Sequence, residues 1–146
     1  MHIKDLFNEK KVVFSFEIFP PKITSPIDTV YKTISELSSL KPDYISVTYG
    51  AGGNSISNRT CELSAFIKNE HSIEPLAHLT CISSKREDID SVLKDLKNNG
   101  IENVLALRGD VPLNQSSQGD FNYGSELISF IRKKGSFGIS AACYPE

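Results

Sequence analysis

Apolar and polar positions along the chain switch between a period of two residues and a period of three to four, and the switches predict its elements. Lys11 to Phe19 (KVVFSFEIF) is a run of Val, Phe and Ile closed by Pro20-Pro21, and predicts a first strand. Pro26 to Leu40 carries Ile27, Val30, Ile34, Leu37 and Leu40 at helical spacing. Asp43 to Tyr49 (DYISVTY) predicts a second strand, stopped by Gly50-Ala51-Gly52-Gly53, and about Ser57 to Asn69 a second helix with Leu63, Phe66 and Ile67 as its stripe. Pro75 to Cys81 predicts a third strand, and Lys85 to Asn99 a helix built on Ile89, Val92, Leu93 and Leu96. Glu102 to Arg108 and Ile139 to Tyr144 predict the fourth and fifth strands, with a helix from Ser125 to Lys134 between them. Gly100 and Gly135 stand where left-handed helix caps are expected.

Strands thus recur about every 30 residues, the size of one βα unit, and strict alternation implies a parallel sheet. Two α/β architectures compete, an open doubly wound sheet and a closed (β/α)8 barrel of TIM type. In either, function sits at the carboxyl ends of the strands, where the connections to the helices are the longer ones (PPKITS, GAGGNSIS, and Gly109 to Gly124).

Side-chain parity separates the two. Val12, Phe14, Phe16 and Ile18 share one face of the first strand and Ser15 and Glu17 the other. Ile45 and Val47 oppose Ser46 and Thr48, and Ala77, Leu79 and Cys81 oppose His78 and Thr80. In the fourth strand Leu105 and Leu107 are expected to oppose Arg108, with Asp110 continuing the polar parity. In the fifth, Ile139, Ala141 and Cys143 oppose Ser140, Ala142 and Tyr144. A sheet covered by helices on both faces reads as near-continuous apolar runs, so polar groups gathered on one parity favour a barrel interior. Glu17, Thr48, His78, Arg108, Asp110 and Tyr144 are then expected to converge at one mouth. Buried polar groups without partners cost roughly 1–3 kcal/mol each, so such a gathering points to a ligand pocket.

Composition changes this picture little. The 146 residues fit one domain, 39% hydrophobic content suffices for a core, and 16 basic against 18 acidic residues leave a net charge of −2. That balance, without a basic cluster, argues against nucleic acid or a membrane surface as partner. No apolar run reaches the roughly 18 residues of a membrane span. Met1-His2-Ile3-Lys4-Asp5 lacks the layout of a signal peptide. Three scattered cysteines, Cys61, Cys81 and Cys143, fit a reducing compartment, so a cytoplasmic location is expected.

At the strand ends the chain resembles a known family. Phe16-Glu17-Ile18-Phe19-Pro20-Pro21, Val47-Thr48-Tyr49-Gly50-Ala51-Gly52-Gly53, His78-Leu79-Thr80-Cys81, Leu107-Arg108-Gly109-Asp110 and Ala142-Cys143-Tyr144-Pro145-Glu146 are similar to the ordered motifs of methylenetetrahydrofolate reductase. The five fall in order from about Val12 to the last residue. The resemblance implies an eight-stranded βα barrel with FAD at its carboxyl-terminal mouth. It implies reduction of 5,10-methylenetetrahydrofolate to 5-methyltetrahydrofolate by NADH or NADPH, a step of one-carbon metabolism that supplies methionine. By the same resemblance the nicotinamide reduces the flavin and leaves before folate stacks on it.

The resemblance also assigns roles. Opening the methylene bridge requires protonation of folate N10, and a carboxylic acid in a dry pocket can serve at neutral pH. Glu17 matches the family's acid; a structural carboxylate paired with a lysine is the alternative. Asp110 matches the acidic residue beside the flavin and the pterin, where it would tune the flavin and stabilise developing positive charge. Arg108 suits the FAD diphosphate and Gly109 a close backbone approach, against an Arg–Asp pair that merely fixes a loop. Arg108-Gly109-Asp110 read as an integrin-binding tripeptide lacks any secretion feature beside it. Thr48, Tyr49 and Ala51 match flavin contacts, Thr48 also lying near the nicotinamide. His78 and Tyr144 match further cofactor contacts. Tyr123 and Gly124 match contacts to the adenosine part of FAD, or simply begin a helix capped by Ser125. No metal is expected, because His78 and Cys81, three apart on a strand, face opposite sides.

A complete barrel of this type needs about 250 residues, so the chain reads as the amino-terminal half, roughly four and a half βα units. Open sheet edges invite association, and a homo-oligomer is expected. The alternative from another functional class is a non-catalytic half-barrel that self-associates through those edges.

Overall fold

In the computed structural model of the protein, residues 1–21, 25–49, 54–110 and 119–143 are described, the side chains of 54–58 excepted. Five strands and five helices follow one another as α1 (Ile3–Glu9), β1 (Ser15–Ile18), α2 (Asp28–Ser38), β2 (Tyr44–Val47), α3 (Asn54–His71), β3 (Glu74–Thr80), α4 (Arg86–Asn98), β4 (Asn103–Leu107), α5 (Gly124–Arg132) and β5 (Gly138–Ala141).

The strands form one sheet in the order β1-β2-β3-β4-β5, every pair parallel. This order decides the architecture. A doubly wound sheet reverses its strand order at a switch point, and the reversal sends helices to both faces. Here each strand adds beside its predecessor, so right-handed crossovers return on one side throughout. The result is an α/β fold of TIM-barrel type, partial in extent. Among the described residues β1 pairs only with β2 and β5 only with β4.

The helix-covered side holds the core. Ile34 of α2 and Leu63 and Ile67 of α3 pack with Ile18, Ile45 and Val47 in one cluster. Ile89, Leu93 and Leu96 of α4 and Leu127 and Ile131 of α5 pack with Ala77, Leu79, Val104 and Ala106 in the other. Each fully buried Leu or Ile contributes about 1.5–3 kcal/mol over an exposed one. The helix stripes read from spacing therefore do what the spacing predicts. Gly100 takes φ 72°, a left-handed cap, whereas Gly135, at φ 155°, lies outside that well.

Two expectations are corrected by the register. Ala77 pairs with Val104, His78 with Leu105 and Thr80 with Leu107, so Leu105 and Leu107 share the face of His78 while Val104 and Ala106 face the helices. Both faces of β4 are apolar, so Arg108 was a poor marker of parity. The first strand is also shorter than Lys11 to Phe19: Val12 and Phe14 precede it and are 76% and 47% exposed.

The short helix α1 was not anticipated. Its Ile3 and Leu6 pack with Leu76, against Tyr44 and Leu105, on the face opposite the other helices. Buried Asn103 fixes it there: Oδ1 accepts from the Ile3 amide at 2.9 Å, and Nδ2 donates to the Met1 carbonyl at 2.9 Å. α1 thus covers the amino-terminal end of the concave face, and among the described residues no helix covers its carboxyl-terminal end.

Candidate active site

Five strands build the concave face, and parallel register puts their side chains in rows. Glu17 pairs with Ser46, and His78 with Leu105, which pairs with Ser140. These residues, with Ser15, Tyr44, Leu76 and Phe7, line a cavity of about 400 Å³. Ligand pockets run to roughly 300–1,000 Å³, so this one has room for a ring system.

At the centre of the face Glu17 and His78 meet, Oε2 lying 3.5 Å from Nε2. Ser46 Oγ stands 3.4 Å from the same Oε2 and 3.4 Å from the Phe16 carbonyl. The titratable group beside the carboxylate is therefore a histidine rather than the lysine of the structural alternative. Glu17 keeps 49% of its side chain exposed and His78 only 8%. Burial pushes the His78 pKa below its ordinary value, and the Glu17 carboxylate pulls it partly back. The ring is thus neutral at neutral pH. Among the described residues its Nε2 is buried without a hydrogen-bond partner, the Glu17 contact at 3.5 Å not forming one. A buried, unpaired ring nitrogen on an open concave face is a group suited to a heteroatom of a ligand.

Thr48 continues the row of Ser46 one step beyond β2. Its amide donates to the Ile18 carbonyl at 2.9 Å and its own carbonyl accepts from Thr60 Oγ1 at 3.0 Å, so the backbone that presents it is held on both sides. Tyr49 packs, partly buried, against the larger core cluster.

The end of β4 forms a second group. The Arg108 carbonyl accepts from the amides of Cys81 and Ile82 at 3.2 and 2.9 Å, which ties the β3 and β4 ends together. Cys81 is fully buried, and burial, with Glu126 adding and Arg108 opposing, raises its thiol to about 11. It is inert at neutral pH and sits in the core with Leu79, on the face away from His78. Gly109 takes φ 79°, and a Cβ there would stand 2.9 Å from Thr80 Cβ. The fold itself therefore requires the glycine, whatever approaches it. Asp110 follows, exposed.

Gly124 opens α5 with its backbone against β4; a Cβ on it would stand 3.3 Å from the Arg108 nitrogen. The N-cap is Tyr123 rather than Ser125, and Glu126 Oε2 accepts from the amides of Asn122 and Tyr123 at 2.7 and 3.3 Å. Tyr123 is 65% exposed. Glu17, Ser46 and His78 thus form one cluster with Thr48 one step beyond, and Arg108, Gly109, Tyr123 and Gly124 another at the β4–α5 junction. Ala51 and Tyr144 lie outside the described residues. Ser46 was on the polar parity but was not singled out, since only the register sets it against Glu17.

The donor set suits a flavin. It offers an imidazole nitrogen and hydroxyls on the concave face, and an exposed arginine, Arg108, whose backbone lies against the start of α5. Among the described residues no helix is long and apolar enough to cross a membrane.

Comparison with known proteins bears on the same residues. The family profile of methylenetetrahydrofolate reductase matches residues 2–146. The 5,10-methylenetetrahydrofolate reductase of Pectobacterium carotovorum is 39% identical over 93% of this chain and 45% of its own length. That of Escherichia coli is 39% identical over 90% of this chain and 44% of its own. The Arabidopsis thaliana protein named methylenetetrahydrofolate reductase (NADH) 1 is 38% identical over 99% of this chain and 25% of its own. The chain spans less than half the length of these curated relatives.

Proposed function

The chain belongs to the methylenetetrahydrofolate reductase family, and we propose from that premise that it forms the amino-terminal half, residues 1–146, of a barrel that reduces 5,10-methylenetetrahydrofolate to 5-methyltetrahydrofolate. NADH or NADPH is the donor, in a cytoplasmic protein serving methionine supply. FAD, when bound, supplies the relay that takes hydride from the nicotinamide and gives it to the folate. The single observation that carries this reading is the Glu17–His78 contact on the concave face, in a chain of this family.

Glu17 is the proposed acid. Its proton passes to folate N10, the bond from the methylene carbon to N10 breaks with its electron pair going to N10, and the carbon is left as an N5 iminium that accepts hydride. Glu17 keeps 49% of its side chain exposed, so a ligand on the face would cover it. Asp110 stabilises the developing positive charge. His78, Thr48 and Tyr49, with Ala51, hold the flavin. Arg108 and Gly109 take its diphosphate, and Tyr123, Gly124 and Tyr144 the remaining contacts.

Glu17→Gln is the test. In the flavin-bound protein it should retain flavin reduction by NADH and lose reduction of the folate, followed separately by rapid mixing. Loss of both half-reactions would make Glu17 structural and overturn the assignment.

The edges of β1 and β5, unpaired among the described residues, and the exposed Phe7, Val12, Phe14 and Phe19 favour a second reading, a homo-oligomer or a non-catalytic half-barrel that pairs with its own copy. Visible flavin absorbance in the purified protein supports the enzyme. A colourless protein whose light-scattering mass is a multiple of the chain supports the scaffold.

A further inference from the structure

A carboxylic acid has one oxygen that donates and one that accepts, and it protonates a substrate only through the donating one. Both neighbours of Glu17 engage the same oxygen: Ser46 Oγ at 3.4 Å and His78 Nε2 at 3.5 Å, each to Oε2. They reach it from different strands, β2 and β3, and both are 7% exposed, so neither is free to follow the carboxylate elsewhere. Ser46 is fixed further by standing 3.4 Å from the Phe16 carbonyl, the residue before Glu17. The Ser46 hydroxyl donating to Oε2 makes it the accepting oxygen, with the buried His78 ring packed against the same atom, and the proton then resides on the other.

We propose that Ser46 and His78 are positioning residues for Glu17, holding Oε2 against β2 and β3 and leaving Oε1 as the oxygen that carries the proton to folate N10. The inference rests on the reading of Glu17 as the acid and adds which atom acts and what selects it. Once the proton has passed to N10, the Ser46 hydroxyl faces the carboxylate left behind and favours the transfer.

Ser46→Ala tests this in the flavin-bound protein. It should slow the folate half-reaction on the order of tenfold relative to flavin reduction by NADH in the same variant, with the folate KM unchanged, because orientation rather than binding is lost. Ser46→Thr, which keeps the hydroxyl, should restore the ratio. A readout apart from turnover is the carboxyl signal of Glu17 in protein labelled with 13C-glutamate, assigned by its disappearance in Glu17→Gln. The signal should move in Ser46→Ala and return in Ser46→Thr. If Ser46→Ala does not fold, Ser46→Cys carries the test, its weaker donor giving an intermediate slowing. A wild-type ratio and an unmoved carboxyl signal in either variant overturn the proposal. If Glu17→Gln still reduces folate, the functional reading itself fails. If Glu17→Gln is dead for folate and Ser46→Ala is unaffected, only the positioning role falls.

Discussion

Replacing Gly109 by alanine separates what the fold asks of this position from what a ligand asks. Gly109 has φ 79°, and a Cβ added to it would stand 2.9 Å from Cβ and 3.2 Å from Cγ2 of Thr80. An L residue in the left-handed well costs about 1–2 kcal/mol. Forcing a methyl into a packed contact adds roughly 1–3 kcal/mol. Gly109→Ala should therefore destabilise the protein by about 2–5 kcal/mol, with Thr80 held against retreat by its pairing with Leu107 of β4.

Urea unfolding of the flavin-free protein measures it: the midpoint should fall with the slope unchanged. Gly109→Asn resolves the two contributions. Asparagine tolerates the left-handed conformation better than alanine yet carries the same Cβ, so the difference between the variants reports the backbone and their shared loss reports Thr80. A flavin-free Gly109→Ala protein within about 0.5 kcal/mol of wild type would refute the reasoning. The glycine would then serve the cofactor alone, and the variant would show only weaker flavin binding.

His78 gives stability a pH dependence of known sign. Burial depresses its pKa below the ordinary 6.5, so below that value the unfolded chain holds more protons than the folded one. The stabilisation is complete above pH 6.5, is lost as pH falls from there through the folded midpoint, and levels off below it. Urea midpoints should decline over that window and decline less in His78→Gln; an equal decline in both would assign it elsewhere. Among the described residues Ser64 Oγ is buried without a hydrogen-bond partner, and its residue is fully buried. Ser64→Ala should leave stability unchanged or raise it by up to about 1 kcal/mol, read as melting temperature, and a clear fall would mean the hydroxyl has a partner.

Alternation was legible wherever one face of a strand is polar. Ser15 and Glu17, Ser46 and Thr48, and His78 and Thr80 marked the concave side correctly, and the register sets Glu17 beside Ser46 as parity requires. β4 was illegible because Val104, Leu105, Ala106 and Leu107 offer no contrast. Asn103, which lies on the face of Leu105 and holds α1, was the better marker. α1 escaped notice because Ile3, Leu6 and Phe7 span too few turns to declare a period. Arg108 and Asp110 lie past the end of β4, where Gly109 at positive φ breaks the alternation, so parity says nothing of where they point.

Strand order is what gives the polar face its meaning. Were the order reversed at any point, a helix would cross onto the concave side and cover part of the row that holds Glu17 and His78. The polar parity would then be core, and a carboxylate at 49% exposure beside an imidazole at 8% could not occur there without further partners. Sequential order keeps four helices on the opposite face and gives α1 only the amino-terminal end. The carboxylate can then stay wet until a ligand arrives while the histidine stays dry throughout. That contrast in hydration between two neighbouring titratable groups is what the proposed double role, holding a flavin and delivering a proton, calls for.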